Sequence, residues 1–189
     1  SVFSFDESTG SYEHNPEKAK ELLAEAGYED GFELELYSFQ GARPYVSQPI
    51  QASELVAADL RDVGIDVEIV TNEWANHADI FSSLEHELAL HGWFDIGHPS
   101  NFLKTLGLEG ANTGYESEEL NQLALDALAT YETGEQEEIY KELQQKLHEA
   151  AVSIPIAHND YTAATLSNVE GFELDILGIV RAHDAKITE

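Results

Sequence analysis

FELELYSFQGARPYVSQPIQASELVAADLRDVGIDVEIV, residues 32–70, decides the fold. Phe32, Leu34 and Leu36 alternate with Glu33, Glu35 and Tyr37, the period of a half-buried strand. After a loop from Gln40 to Gln48, Ile50, Val56, Leu60 and Val63 recur at helical spacing up to Gly64. Ile65, Val67 and Ile69 then alternate with Asp66 and Glu68 as a second strand. Strand, helix and strand in about 40 residues form a parallel crossover unit.

Upstream, Asn15 and Pro16 occupy the N-cap and first-turn positions of a helix with Ala19, Leu22, Leu23 and Ala26 on one stripe and Gly27 at its stop. Residues 1–12 carry no periodicity and are expected to be a linker or arm, with one ordered domain over 13–189. Downstream, a helix from Trp74 to Leu84 leads to a strand from Glu87 to Trp93 and a loop from Phe94 to Ser100. Ser117 caps a helix carrying Leu120, Leu123, Ala127 and Leu128, and Thr133 with Gln136 makes a capping box for the next. A strand from Ser153 to His158, with a partner around Thr162 to Leu166, completes the expected architecture. That architecture is α/β, a mixed and mainly parallel sheet with flanking helices.

Composition narrows the function. Asp and Glu number 37 against 9 Lys and Arg, a formal charge of −28. Phosphates would be repelled, which excludes nucleic acid as a partner. The acids are spread from Asp6 to Glu189 as a solvated coat, a pattern suited to molar salt, where the Debye length falls to roughly 3 Å. The regular recurrence of apolar residues argues for a folded chain over a disordered one. Cysteine is absent, so there is no disulfide or thiolate site. No apolar run approaches the roughly 18 residues of a membrane span. Neither a nucleophile elbow, a Gly-rich phosphate loop nor His-Glu-x-x-His occurs, and the chain is not read as an enzyme.

Ligands of open parallel sheets bind beyond the carboxyl ends of the strands. The segments leaving the first three strands hold Arg43, Pro44 and Tyr45, then Glu73 and Trp74, then Trp93, Asp95 and His98. The ligand-binding candidates are therefore Arg43, Tyr45, Trp74, Trp93, Asp95 and His98. Arg43 stands out in so cation-poor a chain. Its planar fork fits a carboxylate, either a ligand's or one on the protein's own surface. No cofactor or metal site is expected. His86, His91 and His98 form a cluster for a metal or metal chelate only if the fold gathers them, and their spacing matches no compact metal motif.

From His14 to Arg181 the sequence resembles the C-terminal lobe of the family 5 extracellular solute-binding proteins, the dipeptide- and oligopeptide-binding components of ABC importers. The resemblance rests on NPEKAKELLAEAGYEDGFELEL (15–36), ARPYVSQPIQASELVAADLRDVGIDVEIVTNEW (42–74), GWFDIGHPSNFL (92–103), NTGYESEELNQL (112–123) and IPIAH (154–158). It implies one lobe of a two-lobed, periplasmic-binding-protein-like fold, with a peptide as ligand. The partners it implies are a missing N-terminal lobe of the same protein and the ABC permease subunits in the membrane. The location it implies is extracellular, with anchoring through a segment outside this chain. Among family members the dipeptide binders carry an Arg-Pro-Tyr loop whose Arg holds the peptide carboxylate and a Gly-Trp loop whose Asp holds the ammonium. By position these are Arg43 and Asp95. The Gly-Trp loop is one residue shorter than that pattern, and His98 stands where an acid is expected.

Overall fold

Asn15 does what its position demands. In a computed structural model that describes residues 3–93, 98–101, 112–158, 160–175 and 178–188, its side-chain oxygen accepts a hydrogen bond from the Lys18 amide at 2.9 Å. This opens helix α1, Pro16–Glu25. The chain then runs through strand β1 (Phe32–Phe39), helix α2 (Pro49–Asp62), strand β2 (Ile65–Asn72), helix α3 (Trp74–Ser83) and strand β3 (Leu88–Ala89). These strands form one parallel sheet in the order β2-β1-β3, with Phe32 opposite Ile65 and Leu36 opposite Leu88. The α/β class and the parallel crossover are as the periodicity implies.

The alternation along β1 sorts its side chains into two jobs. Leu34 and Leu36 pack with Ile65, Val67 and Ile69 of β2 against Val56, Ala57 and Leu60 of α2 and against Leu23 of α1. On that same face Ser38 and Ser53 of α2 are fully buried and lie 2.8 Å apart, while Ser53 also reaches the Pro49 carbonyl at 3.0 Å. With its single proton given to that carbonyl, Ser53 accepts from Ser38, and both buried hydroxyls are satisfied. Phe39 points the other way, towards α3. Where β1 and β2 begin, Gly31 and Gly64 both have positive φ, and a Cβ on Gly31 would lie 1.9 Å from the Gly64 carbonyl oxygen. Only glycine permits that approach.

The described residues divide into two compact units. The first holds Glu7–Gly92 with 112–114, and so contains the parallel sheet; Glu7–Thr9 form a single 3-10 turn in it. The second holds the residues up to Asp6, Trp93 with 98–101, and Tyr115 onwards. Its core is made by helices α4 (Glu118–Ala129) and α5 (Thr133–Glu149), through Leu120, Ala124, Ala127, Tyr140 and Leu143, with Phe3 packed against them. The Gln144 side-chain amide also donates to the Ser4 carbonyl at 2.7 Å.

Three expectations need correction. The strand expected from Glu87 to Trp93 is only Leu88–Ala89: before it the Glu87 carboxylate accepts the Glu35 amide of β1 at 2.6 Å in place of a backbone partner, and beyond it the Leu90 amide still donates to the Tyr37 carbonyl at 2.8 Å, but β1 itself ends at Phe39. The capping box at Thr133 is absent. Glu132 is the N-cap and its side chain accepts from the Glu135 amide, while the Gln136 amide donates to the Ala127 and Thr130 carbonyls at the end of α4. Finally, Ser153–His158 and Thr162–Leu166 are not strands. Ile154 is 74% exposed and Ile156 60%. Antiparallel pairing occurs instead in two short ladders, β4 (Val169–Glu170) with β7 (Lys186–Ile187) and β5 (Glu173–Leu174) with β6 (Val180–Arg181).

Candidate functional site

The loop that leaves β1 doubles back at once. Arg43 and Val46 exchange both backbone hydrogen bonds, at 2.8 and 3.1 Å, which fixes the Arg-Pro-Tyr turn between them. From this turn the Arg43 guanidinium lies over the Trp74 ring, its carbon 4.1 Å from the ring centroid. Trp74 is the first residue of α3, directly after β2, so the carboxyl ends of two adjacent strands deliver the cation and its platform. Phe39, fully buried at the last position of β1, meets the Trp74 ring edge-on at 5.0 Å. Tyr45 lies 6.4 Å from the same ring, tilted.

Tyr45 also explains a glycine. A Cβ on Gly92 would lie 2.0 Å from the Tyr45 ring, so the start of the Gly-Trp segment must lack a side chain for the two loops to meet. Burial pushes the Tyr45 phenol above its ordinary range, with Arg43 opposing. It remains a neutral hydroxyl at physiological pH.

Arg43 makes no ion pair or side-chain hydrogen bond among the described residues. Its Nε is buried and has no hydrogen-bond partner among the described residues. A salt bridge to a carboxylate on the protein's own surface, the other reading of this residue, is not made among the described residues. A buried guanidinium N–H without an acceptor is costly, and the cost is offset when an anion arrives. The π-face of Trp74 stabilises the charge meanwhile.

Against the platform lies a group of rings of which the sequence named only His86 and His91, as candidate metal ligands, and not their ring partners His77 and Phe81. His91 stacks on Trp74 at 5.4 Å and on Phe81 at 3.8 Å, the latter pair only 2° from parallel. His77 is fully buried, stacks on His91 at 5.5 Å and touches Phe39 at 5.0 Å. His86 closes the other end, stacked on Phe81 at 5.3 Å. His91 Nδ1 and His77 Nε2 are 3.4 Å apart. Burial, followed by the nearby His77 and His86, lowers the His91 pKa to about 4, and burial likewise lowers that of His77. Both are neutral imidazoles at pH 7. The signal available in the sequence was the spacing of Trp74, His77 and Phe81, which share one face of a helix.

The remaining candidates are placed differently. Trp93 is exposed, and with His98 it belongs to the second unit, while the ring group belongs to the first. There His98 stacks on Phe3 at 5.9 Å and meets Tyr140 edge-on at 5.8 Å. Its Nδ1 lies 2.7 Å from the Ser100 hydroxyl and accepts from the Ser100 amide at 3.3 Å. Asp95 lies outside the described residues. No group of three or more metal-ligating side chains occurs among the described residues.

A guanidinium without an ion pair among the described residues, on an aromatic platform at the carboxyl ends of parallel strands, has the chemistry of a binding module for an anionic group. The chain belongs to the bacterial extracellular solute-binding proteins, family 5, whose middle-region model matches residues 1–114. It is 32% identical to a dipeptide-binding protein of Escherichia coli K12 over 184 residues, covering 94% of this chain and 34% of that protein. Over 178 residues it is 33% identical to heme-binding protein A of Haemophilus influenzae, covering 90% of this chain and 32% of that one. Among solved structures it resembles an ABC transporter-associated periplasmic binding protein, DppA from Helicobacter pylori, in complex with the peptide STSA. That likeness has a TM-score of 0.80 at 27% identity and covers 100% of this chain and 37% of that one. The chain thus spans about a third of the length of the curated relatives it matches.

Proposed function

We propose that this chain is the peptide-gripping C-terminal lobe of a solute-binding protein that captures dipeptides or short oligopeptides and delivers them to an ABC permease. The observation that carries the reading is Arg43, held on Trp74 with a buried Nε that has no hydrogen-bond partner among the described residues. In this reading the guanidinium takes the peptide carboxylate, and Tyr45 and Trp74 flank the ligand. Asp95 takes the free ammonium, with Trp93 and His98 on the same loop. A zwitterion enclosed between lobes needs both charges paired, and two fixed opposite charges also select for length. Capture and release without covalent chemistry is the whole task of such a component, so no turnover is expected. The name of the Escherichia coli relative and the likeness to a structure that holds a peptide support a peptide ligand. The location that goes with this reading is extracellular, at the cell surface. Calorimetric titration of the full-length protein with a dipeptide library, with heme and a nickel chelate as competitors, tests the ligand class. A hit list confined to heme or the chelate overturns it.

The acidic coat belongs to the same proposal, as adaptation to concentrated salt. With a formal charge of −28, self-repulsion opposes the folded state until counterions screen it. The thermal midpoint of the chain is expected to rise steadily from 0.1 to 3 M KCl. An unchanged midpoint across that series contradicts salt adaptation.

A further inference from the structure

We propose that His91 is a positioning residue for the anion site, its ring stacked beneath Trp74 so that the indole holds the Arg43 guanidinium at the angle a carboxylate requires. The inference rests on the proposed carboxylate role of Arg43.

The geometry gives His91 this role. Trp74 stands at the first position of α3, where the helix backbone fixes its Cα but not its ring. The rings that fix it are Phe39 edge-on at 5.0 Å, Tyr45 at 6.4 Å, His77 at 5.8 Å and His91 at 5.4 Å. Of these, His91 stacks closest to parallel with the indole, at 26°. It is itself held almost flat on Phe81, and by His77 beside it. An open space in place of His91 would let the indole tilt, and the guanidinium 4.1 Å above it would tilt with it. A bidentate carboxylate pair depends on that orientation far more than a simple charge contact does. A neutral ring also suits the site. An imidazolium there would compete with Arg43 for the indole π-electrons and repel it. The titratable groups acting on His91 among the described residues are His77 of α3 and His86 of the turn that follows, and both disfavour its charged form.

The test compares one dipeptide in two forms, free acid and C-terminal amide, binding at pH 7 to the full-length parent, H91A, H91F and R43A proteins. A purely structural loss lowers both affinities together, whereas loss of guanidinium orientation lowers only that of the acid. In H91A the acid-to-amide affinity ratio is expected to fall roughly 3- to 30-fold. In H91F, which keeps a flat ring on Phe81, it is expected to stay within about 3-fold of the parent. Thermal midpoints in the absence of peptide identify any variant that fails to fold, and H91F then carries the test alone, with a fall in its ratio beyond that margin counting against the stack. An unchanged ratio in H91A overturns the proposal, as do equal falls in H91A and H91F. R43A separates the two claims: a parent-like ratio there means that the carboxylate role itself is wrong.

Discussion

Replacing Arg43 by alanine in the full-length protein is expected to weaken binding of an ordinary dipeptide by roughly 30-fold to several thousand-fold, equivalent to about 2 to 5 kcal/mol. Most of that penalty comes from the ligand. A peptide carboxylate carried into the cleft and left without its partner retains the cost of desolvation and gains nothing in exchange. The same substitution is expected to make the protein comparatively indifferent to C-terminal amidation. The stability of the unliganded protein should change by only about 1 kcal/mol. Arg43 makes no ion pair among the described residues, so truncation removes a cation–π contact and a buried N–H with no acceptor, two effects of opposite sign. Titration calorimetry for affinity and urea melts for stability separate the two outcomes. A variant that binds as the parent does contradicts the role given to Arg43.

Phe39→Ala is expected to act on folding instead. Phe39 is fully buried at the end of the central strand and touches Tyr45, Trp74 and His77. Its removal opens a cavity among rings that cannot all move in to fill it, at a cost of about 3 to 5 kcal/mol. Urea denaturation at fixed salt measures this as a fall in the midpoint with the slope retained. A loss below about 1 kcal/mol would mean that the ring group closes up without Phe39, and the rigid platform inferred for Trp74 would lose its base.

How far the sequence reveals this molecule depends on whether a feature is local. Asn15 with Pro16, and Gly27 and Gly64 at the element ends, specify backbone geometry by themselves, and α1, β1, α2 and β2 fall where they place them. The rule that ligands gather at the carboxyl ends of strands brings Arg43, Tyr45 and Trp74 together correctly, because β1 and β2 are adjacent and parallel. Alternation fails where a partner is needed. Ile154 and Ile156 have the period of a strand, but the period identifies a face and not what covers it, and here both side chains are exposed. At the start of β3 a side chain competes with the backbone, since the Glu87 carboxylate takes the Glu35 amide, and at its other end β1 stops at Phe39. Thr133 and Gln136 have the spacing of a capping box, yet Glu132, one residue earlier, caps the helix by accepting the Glu135 amide, and the Gln136 side-chain amide is used on the preceding helix. His77 and His91 are 14 residues apart and meet only because α3 packs on β1, the strand that β3 pairs with.

The central claim is that a peptide is held by both its ends, with Arg43 on the carboxylate. Titration calorimetry of the unmodified full-length protein with one dipeptide in three forms, unblocked, C-amidated and N-acetylated, tests it most directly. The account predicts that the unblocked peptide binds and that either block weakens it by roughly 30-fold or more. An amidated dipeptide bound as tightly as the unblocked one would contradict it.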